Sequence, residues 1–387
     1  MALSELLRRS WLVGALALGV AGCAGGPEED GTTDSASDDV TDISQTAIRR
    51  QSIGNCWIYA TVGWAESLHK RQTGNDVNIS ESYLTWWHWY DQMVNGEATD
   101  HIETGGHWGV AADIIARHGL VMEGDFIPSE ANSELSEAQR RALTMVDEAL
   151  RTGELRERSS RTAARVRALL DRAFGTNMTM AERRAVRANA FAAGRSGTRT
   201  LYLTDLMGTA RSTWNPDQRS GTYAWRGVAY PYRASDRTTF LRRVLRAMND
   251  GHPVIISWLV DFNALDSEGD FELQQLQRAG MAGRQGGHLS VLHDYTVDNV
   301  PGVMGGTLGL GALTPTQRTQ ALQGTLRFFR IKNSWGSARP DRASHEGYYD
   351  LYMTYLNGPI AWKLGEEAGA PTTQRTPISS FILPPNY

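Results

Sequence analysis

Apolar residues recur every three or four positions in the segment that opens at Cys56. Trp57, Ala60, Trp64 and Leu68 fall on one stripe with polar residues between them, which predicts a helix with Cys56 in its first turn. A second helix is predicted from Leu84, Trp87, Tyr90 and Val94, with Ser80 as its cap and Glu81 in its first turn. A third carries Val110, Ile114 and Ile115 and closes at Gly119. From about 129 to 225 the spacing continues through Leu135, Ala142, Val146 and Leu150, then Ala163, Val166, Leu170 and Ala173, among many Arg and Glu. Thr179 with Glu182 predicts a capping-box start for one more helix. This block of about 97 residues reads as a helical insertion.

The period changes in the C-terminal half. Phe240, Leu241, Val244, Leu245 and Met248 predict a helix ended by Asn249-Asp250-Gly251, and Pro253 to Trp258 follows as a strand. Further strands are predicted at His288 to Leu292, Leu326 to Lys332 and Gly347 to Met353. Helices first and strands later imply an α+β domain.

The 387 residues allow one large domain or two ordinary ones. A net charge of −4, with Arg interleaved among Glu and Asp, leaves no electrostatic footprint for nucleic acid. The N-terminus adds more. Arg8 and Arg9 precede the apolar run WLVGALALGVAG, shorter than the ~20 residues that cross a bilayer, and Val20-Ala21-Gly22-Cys23 follows. This resembles a bacterial lipoprotein signal, and the resemblance implies cleavage before Cys23 and acylation of its thiol. The expected organisation is a signal over 1–22, a flexible tether over 23–47 and one domain over 48–387. The expected location is extracytoplasmic, with the lipid on Cys23 held in the cell envelope at the outer membrane.

With Cys23 lipidated, Cys56 has no partner for a disulfide, which leaves burial or reactivity as its reason. Three stretches bear on that choice: Gln51 with Gly54-Asn55-Cys56-Trp57, Gly286-Gly287-His288, and Asn333-Ser334-Trp335-Gly336. They resemble, in the same chain order, the papain-like cysteine peptidases. The separation of 232 residues between Cys56 and His288 falls to 135 once the 97 inserted residues are set aside, within the ~130–150 of papain relatives. The segments ESYLTWW and GGHWGVAADIIARHGLV are most similar to the bleomycin hydrolase and aminopeptidase branch.

The resemblance implies a two-lobed fold, helical lobe plus barrel-like β lobe, and hydrolysis of peptide bonds through a thioester on Cys56. A helix start and an imidazolium both lower a thiol pKa. His288 is the expected base and later the acid toward the leaving amine. The resemblance gives Asn333 the role of orienting the imidazole, Trp335 that of shielding their bond, and Gln51 with the Cys56 N–H that of an oxyanion hole. The competing reading is a peptide- or partner-binding lipoprotein of the same fold without turnover.

Two departures stand out. The family glutamine lies six residues before the nucleophile, whereas Gln51 is five before Cys56, so the turn at Gly54 must be tighter. His293 competes with His288, but Asp294 and Asp298 after it are awkward in a buried strand, which favours His288. No cofactor is expected. Nor is a metal, because His101, His107 and His118 lack ligand spacing. GGTLGLG, Gly305 to Gly311, lacks the lysine of a phosphate loop and reads as an irregular surface hairpin. The expected partners are a peptide or protein substrate and, through Cys23, a membrane.

Overall fold

The computed structural model describes residues 43, 45–212, 214–365 and 370–387. The signal-like segment, Cys23 and most of the tether lie outside the described residues. Ile43 and Gln45, at the tether's expected end, instead pack on the body: Ile43 is buried, and Gln45 Oε1 accepts the Ser67 hydroxyl at 3.0 Å. No helix among the described residues is long and apolar enough to cross a membrane.

The fold is α+β, built as a helical lobe and a β lobe with separate apolar cores. Helices Cys56–Thr73, Glu81–Val94 and Trp108–His118 form the first lobe. Ser80 caps the second by accepting the Tyr83 N–H, and Gly119 closes the third at φ 75°, where a side chain would be strained. Trp57, Trp64, Trp86, Trp89 and Trp108 are fully buried in this core. Each contributes roughly 4–6 kcal/mol of transfer free energy, which anchors a helix that must hold its first residue steady.

The insertion is integrated into this lobe and is only partly helical. Helices Glu137–Arg151 and Ala163–Phe174 lie where the periodicity put them. The next helix, Met178–Arg184, is capped by Asn177 rather than Thr179, because the Asn side chain reaches the Met180 N–H first. Beyond it come two hairpins, Ala192–Ser196 with Arg199–Tyr202 and Thr209–Ala210 with Arg219–Ser220.

The β lobe is one open sheet. Its strands run in the order Arg226–Ala229, Ile378–Leu383, Ile255–Asp261, Gln285–Asp298, Thr325–Lys332, Tyr348–Tyr352 and Asp270–Phe271, and Leu308–Gly309 pairs with Gln285–Asp298 as an extra member. All pairings are antiparallel except that of Tyr348–Tyr352 with Asp270–Phe271. The two outer strands do not pair with each other, so the expected barrel-like lobe is an open sheet. The strand expected at His288 to Leu292 extends to Asp298. Asp294 is buried inside it with its carboxylate accepting the Tyr295 N–H at 2.5 Å and the Gly311 N–H at 3.3 Å, so the burial objection to that segment fails. The glycine-rich segment forms the short Leu308–Gly309 pairing.

Candidate active site

Cys56 is the first residue of its helix, 8% exposed, and the residue before it is held firmly. Asn55 does not cap with its side chain; its Nδ2 donates to Thr85 Oγ1 and Gln139 Oε1, both at 3.0 Å. Gln139 comes from the insertion, more than eighty residues away, and no local signal in the sequence marks it. Burial pushes the Cys56 thiol up to about 11, while backbone hydrogen bonding from Leu289, Trp57 and Cys56 itself pulls it back. Leu289 follows His288, so the sulfur adjoins the strand that carries the imidazole.

Ile255–Asp261 pairs with that strand, and Trp258 stands opposite His288. His288 Nε2 lies 2.7 Å from Asn333 Oδ1, at the end of Thr325–Lys332. The Ser334 N–H also donates to this oxygen at 2.8 Å, which orients the amide. An amide oxygen only accepts, so Nε2 carries the hydrogen and Nδ1 holds the lone pair of the neutral ring. The Trp335 indole lies 4.8 Å from the ring and is itself buried. Burial lowers His288 to about 4, the Asn333 bond raises it, and the charge of Arg342 lowers it further. Burial therefore favours the neutral form of both the thiol and the imidazole.

Gln51 is clamped. Its Nε2 donates to the Ile53 carbonyl at 2.7 Å, its Oε1 accepts the Ser334 hydroxyl at 2.6 Å, and its N–H donates to Ser334 O at 2.9 Å. The one-residue shortening is taken up by a tight turn in which the Asn55 N–H donates to Ile53 O at 3.0 Å. Gly54 is required there, because a Cβ would stand 2.6 Å from Thr104 Oγ1. His293 sits elsewhere, at a bulge in the strand, against Tyr348 at 4.5 Å. Burial and the charges of Arg330 and Lys332 lower it to about 4. The structure thus brings His288, Asn333 and Trp335 together, with Cys56 at Leu289 and Gln51 on Ser334.

Behind Asn333 a small polar cavity is lined by Arg49, Tyr59, Glu66, Glu81 and Lys332. Lys332 donates to Thr46 Oγ1 at 2.8 Å and Thr46 donates to Glu66 at 2.5 Å, a chain that ties the two lobes beside the site. Glu123 lines an adjoining cavity with Oε1 unpartnered among the described residues. Burial pushes its carboxyl up to about 7, Glu130 and Glu66 add to the rise, and Ser80 and Arg49 oppose it. A carboxyl raised in the folded state favours that state while protonated, and this contribution is lost between about pH 4.5 and 7. Glu123→Gln is therefore expected to raise unfolding stability at pH 8 by about 2 kcal/mol, and to be nearly neutral at pH 4.5. Urea denaturation at both pH values checks this; equal effects at the two would contradict it.

Asp270, His345 and Asp350 place ligand-type atoms within 4.8 Å of one another. Arg330 occupies both Asp350 oxygens at 2.7 and 2.9 Å, and His345 bonds Asp270 at 3.0 Å, so the group is already satisfied as an ion-pair network.

No protein-family model matches the chain, and neither does any curated protein. Among solved structures it is similar to PepW from Lactobacillus rhamnosis, with 12% identity and a TM-score of 0.43 over 91% of this chain and 82% of that one. It is similar to the Clostridial cysteine protease Cwp84 after propeptide cleavage, with 12% identity and a TM-score of 0.36 over 88% of this chain and 55% of that one. A structure concerning the mite allergens Blo t 1 and Der p 1 gives 14% identity and a TM-score of 0.36, over 93% and 75% of the two chains.

Proposed function

We propose that the chain is a papain-like cysteine peptidase that hydrolyses peptide bonds through a thioester on Cys56. The observation that carries this is the His288–Asn333 hydrogen bond under Trp335, on the strand whose Leu289 backbone meets the Cys56 sulfur. In the proposed reaction His288 Nδ1 takes the thiol proton as the sulfur attacks the substrate carbonyl. The same nitrogen returns that proton to the leaving amine, and water then cleaves the thioester with His288 again as base. Asn333 holds the ring in the tautomer that leaves Nδ1 free for both transfers. Developing negative charge on the carbonyl oxygen would be met by the Cys56 N–H, which has no intrahelical acceptor, and by the second hydrogen of the Gln51 amide.

The bleomycin hydrolase resemblance of ESYLTWW and GGHWGVAADIIARHGLV assigns the chain to that branch within this reading. The C-terminal segment Ile378–Leu383 is an interior strand of the sheet. Lipidation of Cys23 and tethering to the bacterial envelope complete the proposal.

A peptidyl electrophile tests the assignment in one experiment. It should modify Cys56 stoichiometrically, and peptidase activity against a mixed peptide library should fall in proportion to the modification. Selective labelling without any turnover would instead identify a binding protein of this fold, and no labelling would refute the reactive thiol.

A further inference from the structure

Arg342 lies over the indole that packs on His288, and Arg284 and Arg339 stand close enough to act on it by charge. Arg342 Cζ lies 5.2 Å from the Trp335 ring centre and 4.2 Å from that of Phe262, and Arg284 lies over Phe262 at 4.5 Å. Phe262 in turn packs on Trp335 at 5.3 Å. One carboxylate answers this cluster. Asp341 is gripped by both ends of Arg339 at 2.7 and 2.8 Å and stands 3.6 Å from Arg342 Nε.

The side chain of Arg342 is only 13% exposed, and among the described residues Arg284 has no carboxylate partner. Burying most of a guanidinium is costly, and since no group among the described residues accepts a hydrogen bond from the Arg342 side chain, its donors are left for water or for an anionic ligand. The two aromatic faces offset part of that cost and hold the planar group in one orientation. Burial and the like charges of Arg339 and Arg284 push Arg342 down to about 10, against the opposing pull of Asp341 and Tyr349. The field of Arg342 also reaches His288.

The direction of the substrate follows from the proposed peptidase reading, on which this inference rests. His288 must hand a proton to the leaving amine, so the leaving half of the peptide passes over His288 and the Trp335–Phe262 face beside it. The acyl half stays on Cys56 against the helical lobe. We propose that Arg342 and Arg284 bind a carboxylate in the leaving half of the substrate, so that the enzyme prefers peptides with an acidic group shortly after the scissile bond. That carboxylate can be an Asp or Glu side chain or the free C-terminus of the peptide.

The test is digestion of a peptide library by the full chain, with the library supplied in free-acid and C-terminally amidated forms and the cleavage sites read by mass spectrometry. Acidic residues should be enriched over their amides on the leaving side by about tenfold or more, as charge-assisted pairing implies. Loss of the preferred cleavages on amidation identifies the chain terminus as the ligand; survival with a Glu-over-Gln bias identifies the side chain. Arg284→Gln should weaken the preference and Arg342→Gln abolish it, read as the ratio of acidic to neutral leaving residues within each variant, because loss of the Arg342 charge also acts on His288. Unaltered melting and Cys56 labelling verify that these variants fold. Cleavage by the wild type that ignores charge on the leaving side, or a bias that persists in the double variant, overturns the inference. Absence of any cleavage refutes the peptidase reading instead. Binding of the dipeptide Ala-Glu against the carboxylate-free amide of Ala-Gln then still decides the carboxylate site, which must saturate with the first alone in the wild type and lose it in the double variant.

Discussion

Alanine at position 288 is expected to lower peptide turnover by at least ~10³-fold, and to confine alkylation of Cys56 to strongly alkaline solution. On the proposed mechanism the thiol proton passes to the imidazole in the wild type, and the two groups would then titrate as a pair. Without the imidazole, the thiol is a buried group that the Leu289, Trp57 and Cys56 backbone only partly relieves, near 11. At neutral pH roughly one molecule in ten thousand would then carry a thiolate. Iodoacetamide modification at neutral pH, followed by intact mass, should therefore be much slower in His288→Ala than in the wild type. His293→Ala is the matched comparison. Its ring lies against Tyr348 at a strand bulge, away from Asn333, so the labelling profile should keep its wild-type form. Coincident profiles for His288→Ala and wild type would remove His288 from the mechanism.

How far these assignments could be read in advance depends on how local their causes are. The helix at Cys56, the Ser80 cap and the strand before Asn333 are governed by residues within a turn or two, and each lies where the periodicity put it. The sheet is governed by pairing at a distance. Ile378–Leu383 joins Ile255–Asp261, with Ile382 opposite Ile255, and nothing within SSFIL announces a partner more than a hundred residues upstream. Asp294 illustrates a second limit. A buried carboxylate looks prohibitive in sequence, yet it is acceptable where backbone N–H groups meet it, here those of the neighbouring Tyr295 and of Gly311, which lies on a loop that sequence does not position. Gln139, which holds Asn55, and Arg342, which lies on Trp335, share the difficulty. Each is one polar residue among many of its kind in the chain, significant only through where the fold carries it.

Gln51→Ala is expected to reduce kcat by about 10²–10³, equivalent to ~3–4 kcal/mol, with KM and the labelling rate of Cys56 nearly unchanged. The amide is held on both sides, its oxygen by the Ser334 hydroxyl and one nitrogen hydrogen by Ile53 O, which leaves a single donor in a fixed direction. A donor so prepared costs no reorganisation when negative charge develops on the substrate oxygen, and it offers little to a neutral carbonyl. Its loss should therefore fall on the chemical step. The shorter spacing to Cys56 is compatible with this role because the Ile53 carbonyl, by accepting both the Asn55 N–H and the Gln51 amide, folds the intervening residues into a compact turn. Ser334→Ala, which keeps Gln51 but frees its oxygen, should produce an intermediate loss in kcat through the same amide, and the double variant should be no worse than Gln51→Ala alone. If Gln51→Ala changed kcat by less than threefold, or if its whole effect appeared in KM, the oxyanion would have to be met by the Cys56 N–H and a donor other than Gln51.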